Sequence, residues 1–271
     1  MRKQVFGILW ILSTILISTH AEDSRYFNSP PPESKGEMFA PGIISDAFHN
    51  HSAVSYMPDY SEVYYSIANS LTHVILYRRF QKGKWSDPEV APFSGQYSDD
   101  DPFVSPDGNK LFFASNRPIS GTGKPMRHYD IWYMERETGG WGPPIHMHSD
   151  INRPDCHDGY PTLPRNGDLY FHSSRKEGYG SIDIYRSRFD GRQYGPAENL
   201  GPLVNSKQQE GWPCISPDGR YILFNLYTRG KGDEGFAISI RDKQGVFQKP
   251  FILKDFESST RMPQFSPDGN Y

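Results

Sequence analysis

Short apolar segments alternate with polar segments rich in Pro and Gly along most of the chain. The clearest apolar segments cover residues 110–114, 169–172 and 221–224, which are rich in Leu, Ile, Phe and Tyr. Aromatic and β-branched residues favour strands, and no segment shows the sustained period of 3.6 residues that a surface helix needs. The pattern therefore predicts an all-β protein built from many short strands.

A turn motif recurs between these strands. Ser-Pro-Asp-Gly occurs at 105–108, 216–219 and 266–269, and the related Met-Pro-Asp-Tyr and Pro-Arg-Asn-Gly occur at 57–60 and 164–167. Pro sets φ for a β-turn, Asp bonds nearby backbone, and Gly accepts positive φ. The central Asp or Asn recurs after 48, 59, 52 and 50 residues. A repeat of about 50 residues matches one blade of a β-propeller.

Each turn is followed by the same series of segments. After the second turn come a strand at 110–114, a Ser-Asn-Arg end at 115–117 and another strand at 130–134. After the third turn come a strand at 169–172, a Ser-Ser-Arg end at 173–175 and another strand at 183–186. The sequence thus predicts an all-β propeller of four-stranded antiparallel blades at 36–271. Its blades are expected at 48–97, 98–152, 153–205 and 206–258, with the start of a fifth at 259–271. Because the chain ends two residues after a turn motif, we expect the propeller to be truncated at its C-terminus.

The Ser-Pro-Asp-Gly turns, the Ser-Asn-Arg and Ser-Ser-Arg strand ends, and the Asp-Ile-Trp and Asp-Ile-Tyr segments at 130–132 and 183–185 resemble the Pro-Asp type of WD-like repeat found in TolB-like β-propellers. The resemblance covers about residues 36–271. It implies a bacterial periplasmic or secreted protein whose repeats form a rigid binding platform. Propellers host many unrelated functions, so the resemblance specifies the fold more than the activity.

The N-terminus has the layout of a secretory signal peptide. Arg2 and Lys3 precede an apolar run at 5–17, and small residues follow at 18–21. The run is shorter than the ~20 residues that span a bilayer, so we expect cleavage and no stable membrane insertion afterwards. Residues 1–21 are the predicted signal peptide and 22–35 a flexible leader. The predicted location of the mature protein is the periplasm or the exterior.

Charge and cysteine content narrow the range of partners. The chain has 29 Lys and Arg against 32 Asp and Glu, a net charge of −3, which gives no bulk attraction to nucleic acid. Cys156 and Cys214 are the two cysteines, and an exported chain meets an oxidising compartment. Sequence alone leaves two alternatives open, one disulfide or two separate thiols.

Candidate site residues follow from the predicted fold, because the inner strand of every blade lines the central channel. The residues that begin each inner strand should meet around one end of that channel. The candidate ligand-binding residues are His49, His51, Asp99, Asp101, Asp155, His157, Asp158, Glu210 and Arg261. Among them His51, Asp101, His157 and Glu210 could hold a divalent cation. The alternative is that these groups cap strands and face water without binding a ligand.

The function predicted from these features is non-enzymatic binding of a protein or a glycan. The alternative is a metal-dependent polysaccharide lyase, or another glycan-active enzyme, at the same end of the channel. No catalytic residue is predicted, because no nucleophile motif or phosphate-binding loop is present. Arginines recur once per blade, with aspartates at 130 and 183, and we expect Arg–carboxylate pairs that hold the blades together. These arginines are Arg117, Arg175 and Arg229.

Overall fold

The computed structural model describes Ile44 and residues 50–68, 72–228, 232–253 and 262–269. Within these residues every regular element is a β-strand. The strands form four antiparallel sheets that follow one another along the chain as the blades of a β-propeller. The predicted fold class is therefore confirmed.

Each blade is a meander that runs from the channel outwards. Blade one contains β1 (Asn50–Tyr56), β2 (Glu62–Ala68), β3 (His73–Gln81), β4 (Lys84–Trp85) and β5 (Glu89–Val90). Blade two contains β6 (Asp99–Val104), β7 (Lys110–Ser115), β8 (Asp130–Glu137), β9 (Gly140–Trp141) and β10 (Ile145–His146). Blade three contains β11 (Asp158–Thr162), β12 (Leu169–Ser173), β13 (Asp183–Phe189) and β14 (Tyr194–Asn199). Blade four contains β15 (Gln209–Ile215), β16 (Tyr221–Thr228), β17 (Gly232–Ile240) and β18 (Phe251–Leu253). In blades one and two, a pair of two-residue strands shares the outer position.

The recurring motif forms the turn between the first and second strands. Ser105 Oγ donates to Asp107 Oδ1 at 2.5 Å, and the Gly108 N–H donates to the Ser105 carbonyl at 2.8 Å. Gly108 has a φ of 71°, in the left-handed region that favours glycine. The turns at 216–219 and 266–269 repeat both hydrogen bonds. The motif therefore acts as a self-contained turn wherever it occurs.

The core lies between neighbouring blades rather than within one sheet. On β7, Leu111 and Phe113 pack in a cluster with Tyr64 of blade one, whereas Phe112 packs with Phe171 of blade three. This division follows from the period of two, which sends successive side chains to opposite faces. Leu111, Phe112 and Phe113 are fully buried, and each such side chain contributes roughly 1.5–3 kcal/mol. Blade two is thus stabilised by the blades on both sides of it.

Buried Arg–Asp pairs join the first and second strands of blades two and three. Arg117 Nη2 lies 2.7 Å from Asp99 Oδ1, and Arg175 Nη2 lies 3.5 Å from Asp158 Oδ1. The register explains the choice of partner, because Asp99 pairs directly with Ser115, two residues before Arg117. The predicted structural role of these arginines agrees with this geometry, although Arg229 lies outside the described residues.

The predicted carboxylate partners of these arginines were wrong. Asp130 Oδ2 lies 2.6 Å from His146 Nε2 rather than beside the arginine's guanidinium. Asp183 accepts hydrogen bonds from the backbone N–H groups of Tyr179 and Gly180, at 2.6 and 2.8 Å. Both aspartates begin the third strand, where they order the outer part of the blade instead.

A buried asparagine follows blade two and blade three and binds one residue of the third strand. Asn152 Oδ1 accepts from the Ile131 N–H at 2.7 Å, and its Nδ2 donates to the Ile131 carbonyl at 2.9 Å. Asn205 makes the same two bonds to Ile184, both at 2.9 Å. Each asparagine therefore satisfies both backbone groups of a buried residue and fixes the connection to the next blade.

The inner strands are bulged near their start. Those of blades two, three and four each contain a non-glycine residue in the left-handed region: Asp101 (φ 55°), Tyr160 (φ 58°) and Trp212 (φ 51°). The pairing register shifts at the same place in blades two, three and four. A proline follows each of these residues, at positions 102, 161 and 213, and a bulge on an edge strand tolerates proline because no ladder bond is lost.

The fifth turn lies beside blade four on the same axis. A Cβ added at Gly269 would lie 3.3 Å from Pro217, just as one at Gly108 would lie 3.3 Å from Pro58. A cavity of about 50 Å³ at this end of the channel is lined by residues of all four blades and of the fifth turn, including Ser55, Val104, Leu163, Ile215 and Ser266. Truncation at the C-terminus stays a prediction, and the predicted signal peptide and leader lie outside the described residues.

The two cysteines are separate thiols. Cys156 is partly buried, whereas Cys214 is 2% exposed. Burial raises the pKa of Cys214 to about 12. Of the two alternatives that the sequence left open, the structure therefore has two free thiols rather than a disulfide.

Candidate functional site

The inner strands all begin at one end of the channel, which we call the mouth. In blade two the first residue of β6, Asp99, lies opposite Ser115 at the end of β7, which in turn lies opposite Asp130 at the start of β8. The loop between β7 and β8 therefore leaves from the mouth, and the same register holds in blade three. The loops at this end form the mouth face, whereas the Pro-containing turns lie at the opposite end.

A cavity of about 120 Å³ opens at the mouth, here called the mouth cavity. Its lining comes from blades one, two and three: His73, Asp100, Asp101, Ala114, Tyr129, His157, Asp158, Gly159 and His172. Three of the predicted site residues, Asp101, His157 and Asp158, lie in it. The mouth cavity therefore brings together carboxylates, imidazoles and one tyrosine.

An ion pair between blades one and two forms one wall of the mouth cavity. His73 Nδ1 lies 2.5 Å from Asp100 Oδ2. The hydrogen bond with Asp100 raises the pKa of His73. Burial by itself would raise the pKa of Asp100, but the hydrogen bond and charge of His73, with bonds from Ser66 and the Asp101 N–H, lower it. Both shifts favour the charged forms of the pair, an imidazolium and a carboxylate.

Asp101 lies beside this pair on the bulge of β6. It is 8% exposed, and its Oδ2 accepts a hydrogen bond from the Tyr160 N–H of blade three at 3.2 Å. The left-handed conformation at Asp101 turns the strand, and such conformations persist only where the surroundings compensate their cost of roughly 1–3 kcal/mol. Asp101 therefore links two blades while it lines the mouth cavity.

His172 is a neutral imidazole at the cavity wall. Its Nδ1 accepts a hydrogen bond from the Trp212 N–H at 3.3 Å, so Nε2 carries the proton of the neutral ring. Burial, with a smaller effect of His157, lowers the pKa of His172 to about 4. The rings of Tyr160 and Trp212 lie 5.8 and 6.2 Å from its ring and fix its orientation.

His157 and Tyr129 form the outer wall. The Tyr129 N–H donates to His157 Nδ1 at 3.4 Å, and the Tyr129 hydroxyl donates to Ser98 Oγ at 2.6 Å. Burial, with a contribution from His128, lowers the pKa of His157. His157 is therefore also a neutral imidazole with Nε2 protonated at neutral pH.

Three predicted carboxylates bond within their own blades. Asp99, Asp158 and Glu210 are fully buried at the start of their inner strands. Asp99 and Asp158 bind the two arginines described above, and Glu210 accepts from the Ser206 hydroxyl at 2.6 Å. Burial raises the pKa of Asp158 to about 6 despite these bonds. Of these three, only Asp158 borders the mouth cavity.

Among the remaining predicted residues, Asp155 does not line the mouth cavity, and the other three are described in part or not at all. Asp155 is exposed, in the loop before β11. His51 lies on β1, opposite Ile67, but its side chain is not among those described. His49 and Arg261 lie outside the described residues. A ligand role for these residues stays a prediction.

The predicted metal ligands do not form one group in the described part of the chain. Asp101 and His157 share the mouth cavity, whereas Glu210 bonds to Ser206 and does not line it. Among the described residues, no three His, Cys, Asp or Glu side chains lie close enough together to hold a metal ion. The divalent cation stays a prediction that depends on the side chain of His51.

Sequence reasoning missed His73, Tyr129 and His172 as site residues. It considered only residues that begin the inner strands, whereas these three lie on or beside the second and third strands. A signal for His172 was nevertheless present, because it pairs with Gly159 across the sheet. A glycine on the inner strand leaves the side chain behind it open to the channel.

Comparisons with known proteins support the fold. No protein-family model matches the chain, and no curated protein matches it either. Among solved structures, TolB from Acinetobacter baumannii is similar to it with a TM-score of 0.51 and 20% identity, over 82% of this chain and 47% of that one. A putative TolB from Agrobacterium tumefaciens has a TM-score of 0.40 and 18% identity, over 82% of this chain and 88% of that one. A puromycin-hydrolyzing peptidase from Mycobacterium tuberculosis has a TM-score of 0.47 and 12% identity, over 74% and 29%.

The match to the Acinetobacter protein shows a common propeller fold. The chain spans about half the length of that protein. At this identity the similarity carries the architecture and no activity. No helix in the described ranges is long and apolar enough to cross a membrane.

Proposed function

We propose that the chain is an exported, non-enzymatic binding protein whose mouth face holds a protein partner. The observation that carries the proposal is the arrangement of three exposed apolar side chains around the mouth. Ile119 is 63% exposed between β7 and β8, Tyr179 is 50% exposed between β12 and β13, and Leu203 is 46% exposed between β14 and β15. All three loops belong to the mouth face.

Such a surface favours a protein partner over a free small molecule. Protein interfaces combine apolar and aromatic contacts with hydrogen-bonding groups that fix the register of the partner. Here the apolar side chains lie on loops of two blades and of one interblade connection, and the polar mouth cavity lies between the blades. A propeller holds these loops on rigid strands, so little ordering is needed on binding.

Export is the second part of the proposal and rests on the sequence of residues 1–21. The charged start, the apolar run and the small residues before Glu22 are typical of a cleaved signal peptide. We expect the mature protein to begin at Glu22 and to reside in the periplasm or outside the cell. N-terminal sequencing of protein from the cell envelope and the medium tests this directly, and an intact Met1 in the mature protein would contradict it.

The mouth cavity offers little support for catalysis. No Ser, Thr or Cys side chain is among the described residues that line it. The carboxylate of Asp100 is occupied by His73, and those of Asp101 and Asp158 accept backbone N–H groups. The lyase alternative needs ligands for its metal, and the described residues supply no such group. The lyase activity is therefore tested as the alternative to the binding function.

Photo-crosslinking in cells of the source organism tests the mouth face. A photoreactive phenylalanine analogue is placed at Ile119, Tyr179 or Leu203, one at a time, and at Val246 as the control. Val246 is 48% exposed, close to the exposure of Leu203, but lies in a turn at the opposite end. We expect crosslinks to one protein from the mouth positions and none from Val246. Equal crosslinking at Val246, or none at the mouth positions, contradicts the proposal.

An assay on acidic oligosaccharides tests the enzymatic alternative. Purified protein is incubated with them, with and without a chelator, and unsaturated products are followed by their ultraviolet absorbance. We expect no product. Product that disappears on chelation would favour the lyase, and stable binding without product would favour a glycan partner instead of a protein.

A further inference from the structure

One part of the mouth cavity is the space in front of Gly159. A Cβ added to Gly159 would lie 3.3 Å from His172 Nε2, 3.4 Å from Asp101 Oδ2 and 3.6 Å from Ala114 Cβ. These three atoms come from blades two and three and face one point. A Cβ at this position would be in tight contact with the ring nitrogen and the carboxylate oxygen, so the absence of a side chain at Gly159 keeps the mouth cavity open beside these two atoms.

The two polar atoms at this space have opposite hydrogen-bonding roles. His172 Nδ1 accepts from the Trp212 N–H, so Nε2 is a donor. Among the described residues, no group is hydrogen-bonded to this Nε2 atom. Asp101 Oδ2 accepts from the Tyr160 N–H, and a carboxylate oxygen has capacity for more than one such bond. A ligand group in this space meets one donor and one acceptor.

We propose that this space is a subsite for a carboxamide, the side-chain group of an Asn or Gln of the bound polypeptide. The inference rests on the proposed function, because it names what the mouth cavity takes from a protein partner. The carboxamide oxygen accepts from His172 Nε2, and its NH₂ group donates to Asp101 Oδ2. A carboxamide satisfies both atoms with one planar group and brings no charge.

Other ligand groups fit less well. A carboxylate would be repelled by the negative charges of Asp100 and Asp101. The positive charge of the nearby His73 is already paired with Asp100. An ammonium has donors only, so it leaves His172 Nε2–H facing another donor. A saccharide hydroxyl can also donate and accept, but it does so through one oxygen atom, whereas a carboxamide presents a separate donor and acceptor to the two atoms. A saccharide hydroxyl is therefore an outcome of the test and not the proposal.

The orientation of His172 is fixed before any ligand binds. Its ring packs against Tyr160, at 5.8 Å and 34°, and against Trp212, at 6.2 Å and 78°, and these two rings lie 6.4 Å from each other. Both aromatic residues are the left-handed residues of their inner strands. The bulges of blades three and four thus place the rings that hold the donor in position, which reduces the ordering cost of binding.

The experiment uses Gly159→Ala, which fills the space with a methyl group. Gly159 does not have positive φ, so alanine is compatible with its backbone, and its methyl group would press on His172 Nε2 at 3.3 Å and on Asp101 Oδ2 at 3.4 Å. Gly211→Ala is the matched control: Gly211 is the equivalent residue of blade four, also lacks positive φ, and the nearest atom to its Cβ would be His172 Nδ1 at 3.7 Å. Thermal unfolding of both variants checks that each retains the fold.

Four probes are titrated into the full mature chain labelled with ¹⁵N-histidine: blocked glutamine (N-acetylglutamine methylamide), the blocked glutamate and lysine analogues, and methyl glucoside. Binding is followed by the His172 Nε2 signal in NMR spectra. We expect a saturable shift with blocked glutamine, weaker by tenfold or more in Gly159→Ala and unchanged in Gly211→Ala. The glutamate and lysine analogues should bind at least tenfold more weakly than blocked glutamine.

Several results overturn the inference. Equal binding of blocked glutamine to Gly159→Ala, or no saturable shift with any probe, excludes a carboxamide subsite. Saturation by methyl glucoside alone points to a glycan ligand. The crosslinking experiment separates this failure from that of the proposed function: if Gly159→Ala still crosslinks through Tyr179, the mouth face binds a protein without using the space in front of Gly159.

Discussion

Acidification should destabilise the fold through His172. Burial lowers the pKa of this imidazole from 6.5 to about 4 in the folded chain. In the unfolded chain the imidazole takes up a proton near pH 6.5, whereas in the folded chain it stays neutral until about pH 4. Its contribution to stability is therefore fully present above pH 6.5 and is lost as the pH falls through the folded value.

The size of the effect follows from the shift. At about 1.36 kcal/mol for each pKa unit, it corresponds to roughly 3 kcal/mol between pH 7 and pH 4. Urea unfolding of the wild type and of His172→Gln over this range measures it, because the variant has no imidazole to protonate. We expect the difference in unfolding free energy between the two proteins to shrink by roughly 3 kcal/mol as the pH falls.

An NMR titration and a control variant test this prediction further. NMR titration of the His172 ring should give a midpoint well below that of an ordinary histidine. His148→Gln removes an imidazole that is 43% exposed and is the matched control for the substitution itself. If the wild-type and His172→Gln stabilities run parallel from pH 7 to pH 4, the burial argument for His172 is wrong.

Two other predictions concern the scaffold. Asn205→Ala leaves the buried Ile184 N–H without its partner and should cost about 2–4 kcal/mol in urea unfolding, whereas Ser94→Ala, which removes a single bond to the Ile75 N–H, should cost about 1 kcal/mol. Equal losses would argue against the two-bond geometry of the asparagine. A thiol reagent should label Cys156 but not the buried Cys214 in the folded chain, and both in urea. Rapid labelling of two thiols in the folded protein would contradict the burial of Cys214.

The sequence was sufficient for the architecture because turns and strand periodicity are local. Ser105, Asp107 and Gly108 complete their hydrogen bonds within one turn, so the motif could be recognised without its neighbours. The carboxylate partner of Arg117, by contrast, could not be recognised from residues close to it in the sequence. It depends on the register that places Asp99 opposite Ser115, and the sequence offered Asp130 as an equally regular candidate.

The bulges of the inner strands also lay beyond the sequence pattern. A residue before proline normally adopts an extended conformation, which gives no reason to expect positive φ at Asp101 or Tyr160. Contacts between blades maintain that conformation, among them the bond from the Tyr160 N–H to Asp101. Prediction of the mouth cavity would have required this geometry, because the bulge determines which side chains face the channel.

A comparison of equivalent positions in the four blades distinguishes residues that the fold needs from residues that could bind a ligand. The position that faces the inner strand just before its bulge is Ser66 in blade one, Ala114 in blade two, His172 in blade three and Asn225 in blade four. A feature that returns in each blade, such as the turn motif, is needed by each blade and is most simply structural. His172 is the one large titratable side chain of this set, and it faces a glycine. A glycine also occupies the facing position in blade four, where Gly211 lies opposite Asn225, so the histidine is the feature that only blade three has among these four positions. It is the strongest reason to look for a ligand in front of Gly159.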